Sequence, residues 1–315
     1  MGKVAFLFPG QGAQKVGMGK AAFDESAAAR AVFEEADAAL GESLSGLCFE
    51  GPDDALQLTA NTQPAILTTS VALLRGLDQG CHVTAGHSLG EYSANVCAGT
   101  LAFADAVKLV RQRGQYMQQA VPVGVGAMAA VLGGDVAAVE AACAETEGAV
   151  EPVNYNCPGQ LVIAGAKEAV EAAGARIKEA GAKVRPLPVS APFHSSLMQP
   201  AEDNLRPHLE QVSFSDPSVP VYVNVDAAPV IAADAARDAL VRQVSRAVRW
   251  EQTIRRMLED GVTLFVEIGP GKVLTGMLRR IDKGAAKANV ENPADFEAAR
   301  AAIAEHRDSQ SQPLD

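Results

Sequence analysis

The apolar positions of this chain form two kinds of run. Short unbroken runs bounded by turn residues read as buried strands, at residues 4–8, 83–85, 219–225 and 262–267. Between them lie longer stretches whose apolar residues recur three and four apart, the spacing of a helix that buries one face. These stretches cover residues 23–40, 64–77, a segment beginning near 91, then 103–119, 233–244, 250–258 and 274–281. Strands alternating with helices imply a parallel sheet covered by helices.

The pattern changes style near Pro122 and changes back after Pro192. Within that window a strand (128–132), a helix (135–143), two strands (150–154 and 160–164), a helix (167–179) and a strand (183–189) follow one another. The order is βαββαβ, the ferredoxin-like unit, and it is small enough to be an insert. The expected division is therefore a large discontinuous α/β domain (1–123 and 192–290), a small ferredoxin-like subdomain (124–191) and a C-terminal segment (291–315). That last segment holds an Ala-rich helix (293–306), expected to be peripheral, and a polar tail.

Composition narrows the function. Nearly half of the residues are apolar, enough for a sizeable core, and the net charge is −11. That balance argues against nucleic acid as a partner, because phosphate binding needs clustered Lys and Arg. No stretch reaches the length of a membrane span. The five cysteines are odd in number and contain no C-x-x-C pair, which argues against a zinc site and for free thiols in a reducing compartment. The opening apolar run ends at Pro9, too early for a signal peptide. A cytoplasmic monomer is expected, with no metal and no cofactor.

One pentad carries chemistry. Gly86-His87-Ser88-Leu89-Gly90 is the nucleophile-elbow pattern, between a short buried strand and a helix. Such a turn strains its central residue and leaves no room for side chains two places away, hence the glycines. Ser88 would stand clear of the sheet, and the Leu89 amide at the helix start would face a developing oxyanion. A second oxyanion donor should come from another loop at the same end of the sheet, and Gly10-Gln11-Gly12 after the first strand fits. A serine hydroxyl also needs a base. His82 precedes its strand and belongs at the opposite end of the sheet. His87 adjoins Ser88 but should point elsewhere. His208 and His306 lie on polar helices that read as exposed. His194, on a loop after a strand, is left, with helix capping as its alternative role. No acid stands out as a third member, and a backbone carbonyl could serve the imidazole instead.

Two further patterns fail on context. Gly124-x-Gly126-x-x-Ala129 resembles a dinucleotide fingerprint, but a strand follows where a helix is required. Gly269-Pro270-Gly271-Lys272 lacks the rest of a phosphate loop. Arg111 and Arg113, two places apart on one helix, point in different directions. Either could hold a carboxylate if it faced inward, and spacing does not say which.

Together the segments resemble the malonyl-CoA:acyl carrier protein transacylases, within the acyltransferase family of fatty acid and polyketide synthesis. The resemblance runs over roughly residues 3 to 285. It rests on Phe8-Pro9-Gly10-Gln11-Gly12-Ala13-Gln14, on Gly86-His87-Ser88-Leu89-Gly90-Glu91-Tyr92 and on Arg113-Gly114-Gln115-Tyr116-Met117-Gln118. It continues through Asn154-Tyr155-Asn156-Cys157-Pro158-Gly159-Gln160, Phe193-His194-Ser195-Ser196-Leu197-Met198 and Glu267-Ile268-Gly269-Pro270-Gly271. It implies a hydrolase-like α/β domain with a ferredoxin-like insert. It implies that Ser88 is acylated, that His194 is its base, and that Gln11 and Leu89 give the oxyanion amides. Arg113 would hold the malonyl carboxylate, and the backbone carbonyl of Gln243 would orient the histidine. Malonyl-CoA would be a substrate, with acyl carrier protein as the partner. Cys157 departs from the family's usual Ser. Phe193 resembles the malonyl-selective pattern, since a ring there would crowd an α-methyl group. The rival readings are a polyketide-pathway acyltransferase with another extender unit and a serine thioesterase or hydrolase.

Overall fold

The structure is a computed structural model and describes residues 2–189 and 191–308. The chain opens with β1 (Lys3–Phe8). Helices α1 (Lys20–Glu25), α2 (Ala27–Leu40), α3 (Leu44–Glu50), α4 (Asp53–Gln57) and α5 (Thr59–Leu77) follow, and lead to β2 (Val83–Gly86), α6 (Gly90–Cys97) and α7 (Phe103–Gln119). The middle of the chain holds β3 (Gly126–Leu132), α8 (Val136–Ala144), β4 (Val150–Cys157), β5 (Gln160–Ala166), α9 (Lys167–Glu179) and β6 (Lys183–Pro186). Then come α10 (Gln199–Gln211), β7 (Val221–Val223), β8 (Ala228–Val230), α11 (Ala233–Arg242), α12 (Trp250–Glu259), β9 (Val262–Ile268), α13 (Val273–Ile281), β10 (Ala286–Val290) and α14 (Phe296–Asp308).

Six strands form one sheet in the order β10-β9-β1-β2-β7-β8. Its pairs are parallel except for β7 with β8. The other sheet is antiparallel, in the order β4-β5-β3-β6. Numbered within the insert, that is 2-3-1-4, the ferredoxin-like arrangement. The expected fold class, a helix-covered parallel sheet with an inserted βαββαβ unit, is the one the chain adopts.

β1 shows why the sequence folds this way. Its side chains alternate between two cores because successive residues of a strand face opposite sides. Val4, Phe6 and Phe8 join the helices α2 and α5 on one face. Ala5 and Leu7 meet Trp250 and Ile254 of α12 and Leu278 of α13 on the other. A strand buried on both faces reads as an unbroken apolar run. The Glu267 carboxylate at the end of β9 accepts from the amides of Leu274 (2.9 Å) and Thr275 (2.7 Å), so it caps the start of α13.

Several elements differ from expectation for identifiable reasons. The helix expected over 23–40 is two helices, because Ser26 accepts a hydrogen bond from the Ala29 amide and starts a second one. α5 begins ahead of Pro64 and carries it inside. β10 was not foreseen; it is an edge strand whose Lys287 and Asn289 hide its pattern. The C-terminal helix is not peripheral. Phe296, Ala299 and Ile303, spaced three and four apart, are buried in the main core. The Phe296 ring lies so close to α5 that a Cβ on Gly76 would meet it at 2.7 Å. The tail beyond residue 308 lies outside the described residues.

Candidate active site

β1 and β2 run side by side with Phe8 opposite Gly86, so both strands end at the same edge of the sheet. The chain then reverses into α6 within three residues, 87 to 89. Ser88 at the tip has φ +51°, a left-handed conformation that a side chain disfavours. The flanking glycines have no alternative. A Cβ on Gly86 would lie 1.9 Å from the Gly90 carbonyl carbon, and one on Gly90 would lie 2.0 Å from the Phe8 oxygen. The strained turn is held from outside by one side chain. Asn224 accepts from the Ser88 amide at 2.6 Å and donates to the Gly86 carbonyl at 2.7 Å. The Ser88 amide is therefore engaged, whereas the Leu89 amide has no acceptor among the described residues.

Ser88 Oγ lies 2.6 Å from His194 Nε2, and His194 Nδ1 lies 2.8 Å from the carbonyl oxygen of Gln243. A carbonyl can only accept, so the proton sits on Nδ1 and the Nε2 lone pair faces the serine. Burial, then the neighbouring Arg113 charge, push the His194 imidazole down to about 3, so it is neutral at physiological pH. The other four histidines face elsewhere. His82 accepts from the Val4 amide at the far end of the sheet. His87 turns to Asn156 at 2.9 Å and packs edge-on against Trp250. His208 is half-buried and pairs with Tyr116 rather than lying free on the surface. His306 bonds the Ala302 carbonyl within α14.

The two arginines separate cleanly. Arg111 pairs with Glu42 and Asn61 at the surface. Arg113 is 2 % exposed and faces the serine. Its Nη1 donates to Gln63 at 2.8 Å, and its Nη2 to the Gln243 side chain at 2.8 Å and to Ser88 Oγ at 3.2 Å. Its guanidinium also sits over the Tyr92 ring, 5.7 Å from the centroid. Burial lowers the Arg113 pKa, but a guanidinium keeps its charge in proteins. Spacing could not have singled it out. The choice is made by α5, which packs on α7 and presents Gln63 to one arginine and Asn61 to the other.

Gln11 lies on the loop after β1, and its side chain donates to Thr59 at 3.2 Å. Gln11, His87 and Asn156 line one cavity of about 160 Å³ beside the elbow. Like the Leu89 amide, the Gln11 amide has no acceptor among the described residues. Phe193, next to the histidine, is 9 % exposed and packs into the main core. Cys157 is buried, with its thiol 3.3 Å from Gln160 Oε1. Sequence reasoning passed over three members of this cluster: Gln63, Glu91 and Asn224. Asn224 left a visible signal, a lone amide in the apolar run Tyr222-Val223-Asn224-Val225.

Taken from strand ends upward, the arrangement is a serine on a strained turn, a neutral imidazole at its oxygen, two free amides on adjoining loops and a buried cation. Such a set can form and break an acyl ester whose far end is anionic. Comparison with known proteins agrees. The model of the acyl transferase domain matches residues 5–308. A malonyl CoA-acyl carrier protein transacylase of Escherichia coli (strain K12) is 52% identical over 288 residues, covering 89% of this chain and 93% of the relative. The crystal structure of an acyl carrier protein S-malonyltransferase from Vibrio cholerae superposes with a TM-score of 0.92 at 47% identity, covering 94% of this chain and 99% of the other. A malonyl-transacylase solved in complex with a type II polyketide acyl-carrier protein gives a TM-score of 0.92 at 46% identity, covering 94% and 98%.

Proposed function

Because the chain belongs to the acyl transferase domain family, we propose that it moves a malonyl group from malonyl-CoA to the pantetheine thiol of an acyl carrier protein, supplying fatty acid synthesis. The reaction is a ping-pong transfer through an ester on Ser88. His194 Nε2 takes the Ser88 proton as Oγ attacks the thioester carbon. The developing imidazolium is steadied by the Nδ1 hydrogen bond to the Gln243 carbonyl. The amides of Gln11 and Leu89 receive the oxyanion. When the tetrahedral intermediate collapses, the carbon–sulfur bond breaks and His194 returns its proton to the departing CoA thiolate. In the second half the carrier thiol gives its proton to His194 and attacks the ester. Ser88 leaves and takes that proton back.

The observation that carries this reading is the Arg113 guanidinium 3.2 Å from the nucleophile. A buried cation beside the attacking oxygen suits an acyl group that ends in a carboxylate, through a paired charge-assisted hydrogen bond. A hydrolase of neutral esters has no use for it. The test is incubation with malonyl-CoA alone followed by intact mass analysis and peptide mapping. One malonyl group on Ser88, absent in Ser88→Ala, is the expected result. No adduct, or an adduct that survives Ser88→Ala, removes the mechanism. Hydrolysis outrunning transfer when holo-carrier is present would make the enzyme a thioesterase.

One observation favours a second carrier. The relative solved with a polyketide carrier is as similar in fold as the one from Vibrio cholerae. Competition between fatty acid and polyketide carriers, and among acyl-CoAs, decides which transfer is faster.

A further inference from the structure

Two buried polar residues of the site have no task in the reaction as described. Glu91, in the first turn of α6, is fully buried. Its Oε2 accepts from the backbone amide of Asn224 at 2.8 Å and from Gln243 Nε2 at 2.9 Å. Its Oε1 has no partner among the described residues. Burial pushes the carboxyl up to about 7, so an ionised Glu91 works against the fold, and packing alone does not call for a carboxyl here.

The two donors lead to different halves of the site. Asn224 grips the strained turn by both edges, through the Ser88 amide and the Gly86 carbonyl. Gln243 donates to the Ser88 carbonyl at 3.0 Å and accepts from Arg113 at 2.8 Å. An amide side chain can flip end for end, which would exchange its donor and acceptor. The acceptor oxygens of Glu91 and of the Ser88 carbonyl oppose that at Gln243: the amide nitrogen faces both, and the amide oxygen faces the donors of Arg113. On the other side it pins the backbone of Asn224 so that its side chain reaches the elbow.

We propose that Glu91 and Asn224 are positioning residues, with one buried carboxylate oxygen setting both the amide that clamps the nucleophile turn and the amide that holds the guanidinium. This rests on the malonyl-transfer reading of the site. Asn224 acts on the serine whatever the acyl group, and Glu91 acts on both the serine and the cation.

The experiment is single-turnover acylation of Ser88 by malonyl-CoA and by acetyl-CoA, without carrier, with thermal melts of every variant. Asn224→Ala is expected to slow acylation by both substrates about 10- to 100-fold, the range for losing buried hydrogen bonds in a reacting geometry. Its malonyl-over-acetyl preference and its apparent KM for malonyl-CoA should stay within about threefold of native, because the loss is in alignment, not uniform binding. Glu91→Ala should slow acylation and also lower the preference for malonyl. Glu91→Gln, which keeps an acceptor oxygen for both donors, should recover rate and preference together. Should Glu91→Ala not fold, Glu91→Met, which fills the space without an acceptor, takes its place. A folded Asn224→Ala that acylates at the native rate overturns the proposal. So does a Glu91→Gln no faster than the Ala or Met variant at equal melting temperature. Failure of the native enzyme to take malonyl on Ser88 would instead sink the reading beneath it.

Discussion

Replacing Arg113 should separate substrate recognition from chemistry. In the structure its guanidinium makes three hydrogen bonds, to Gln63, Gln243 and Ser88, and is sealed from water. A malonyl carboxylate bound there would form a buried, charge-assisted pair. Truncating one partner of such a pair costs about 2–5 kcal/mol, which is about 30- to 5,000-fold in kcat/KM. Acetyl-CoA has no carboxylate and loses only the Nη2 contact to Ser88 Oγ. A hydrogen bond from the charged guanidinium at 3.2 Å is worth about 1.5 kcal/mol, or about tenfold. Arg113→Ala should therefore cut malonyl transfer by about 10²- to 10³-fold, and acetyl transfer by about tenfold or less. The assay is rapid-quench acylation of Ser88 with each CoA ester under single-turnover conditions. Arg113→Lys serves as a control that keeps charge but offers no planar fork, and it should recover only part of the malonyl rate. Equal losses for both substrates in a folded variant would refute the carboxylate role.

The histidine gives a pH prediction. Unfolded, it takes a proton near its ordinary 6.5; folded, it resists until about 3. Below about 6.5 the unfolded state thus binds a proton that the folded state does not, and stability drains as pH falls, by ~2 kcal/mol at about pH 5. His194→Gln should flatten that slope in denaturant melts at neutral and mildly acid pH, and an unchanged slope would show that His194 is not held neutral. Gly114→Ala touches no substrate group, yet its Cβ would lie 2.7 Å from the Ala60 Cα. It should push α7 off α5, lower stability by about 1–3 kcal/mol and weaken malonyl selectivity, measured by melts and the same acylation assay. Ile303→Ala should cost about 2–4 kcal/mol despite lying far along the C-terminal helix. A variant within about 0.5 kcal/mol of native would return that helix to the surface.

What the sequence revealed depended on whether the constraint was local. The elbow is local: Gly86 and Gly90 are demanded by atoms within a few residues and by β1 next door, so the pentad is visible. The insert was visible because its strands alternate with helices at short range. Arg113 was singled out by the resemblance and not by its own spacing, because its direction is set by α5, at a separation of 50 residues in its bond to Gln63. Gln243 left no trace at all in residue chemistry, since the atom that meets His194 belongs to the backbone. α14 was misjudged because its burial needs only Phe296, Ala299 and Ile303, and alanine elsewhere on the helix dilutes them. β10 was missed because an edge strand tolerates Lys287 and Asn289.

Gln243 meets the site twice, with its carbonyl on the His194 imidazole and its amide on the Arg113 guanidinium. Every side-chain replacement leaves the carbonyl in place. A systematic alanine scan would therefore report position 243 as a selectivity residue and miss its share in orienting the imidazole. The third partner of this serine and histidine is silent to point mutation. Only a change to the main chain itself, such as an ester in place of the peptide bond after Gln243, would expose it.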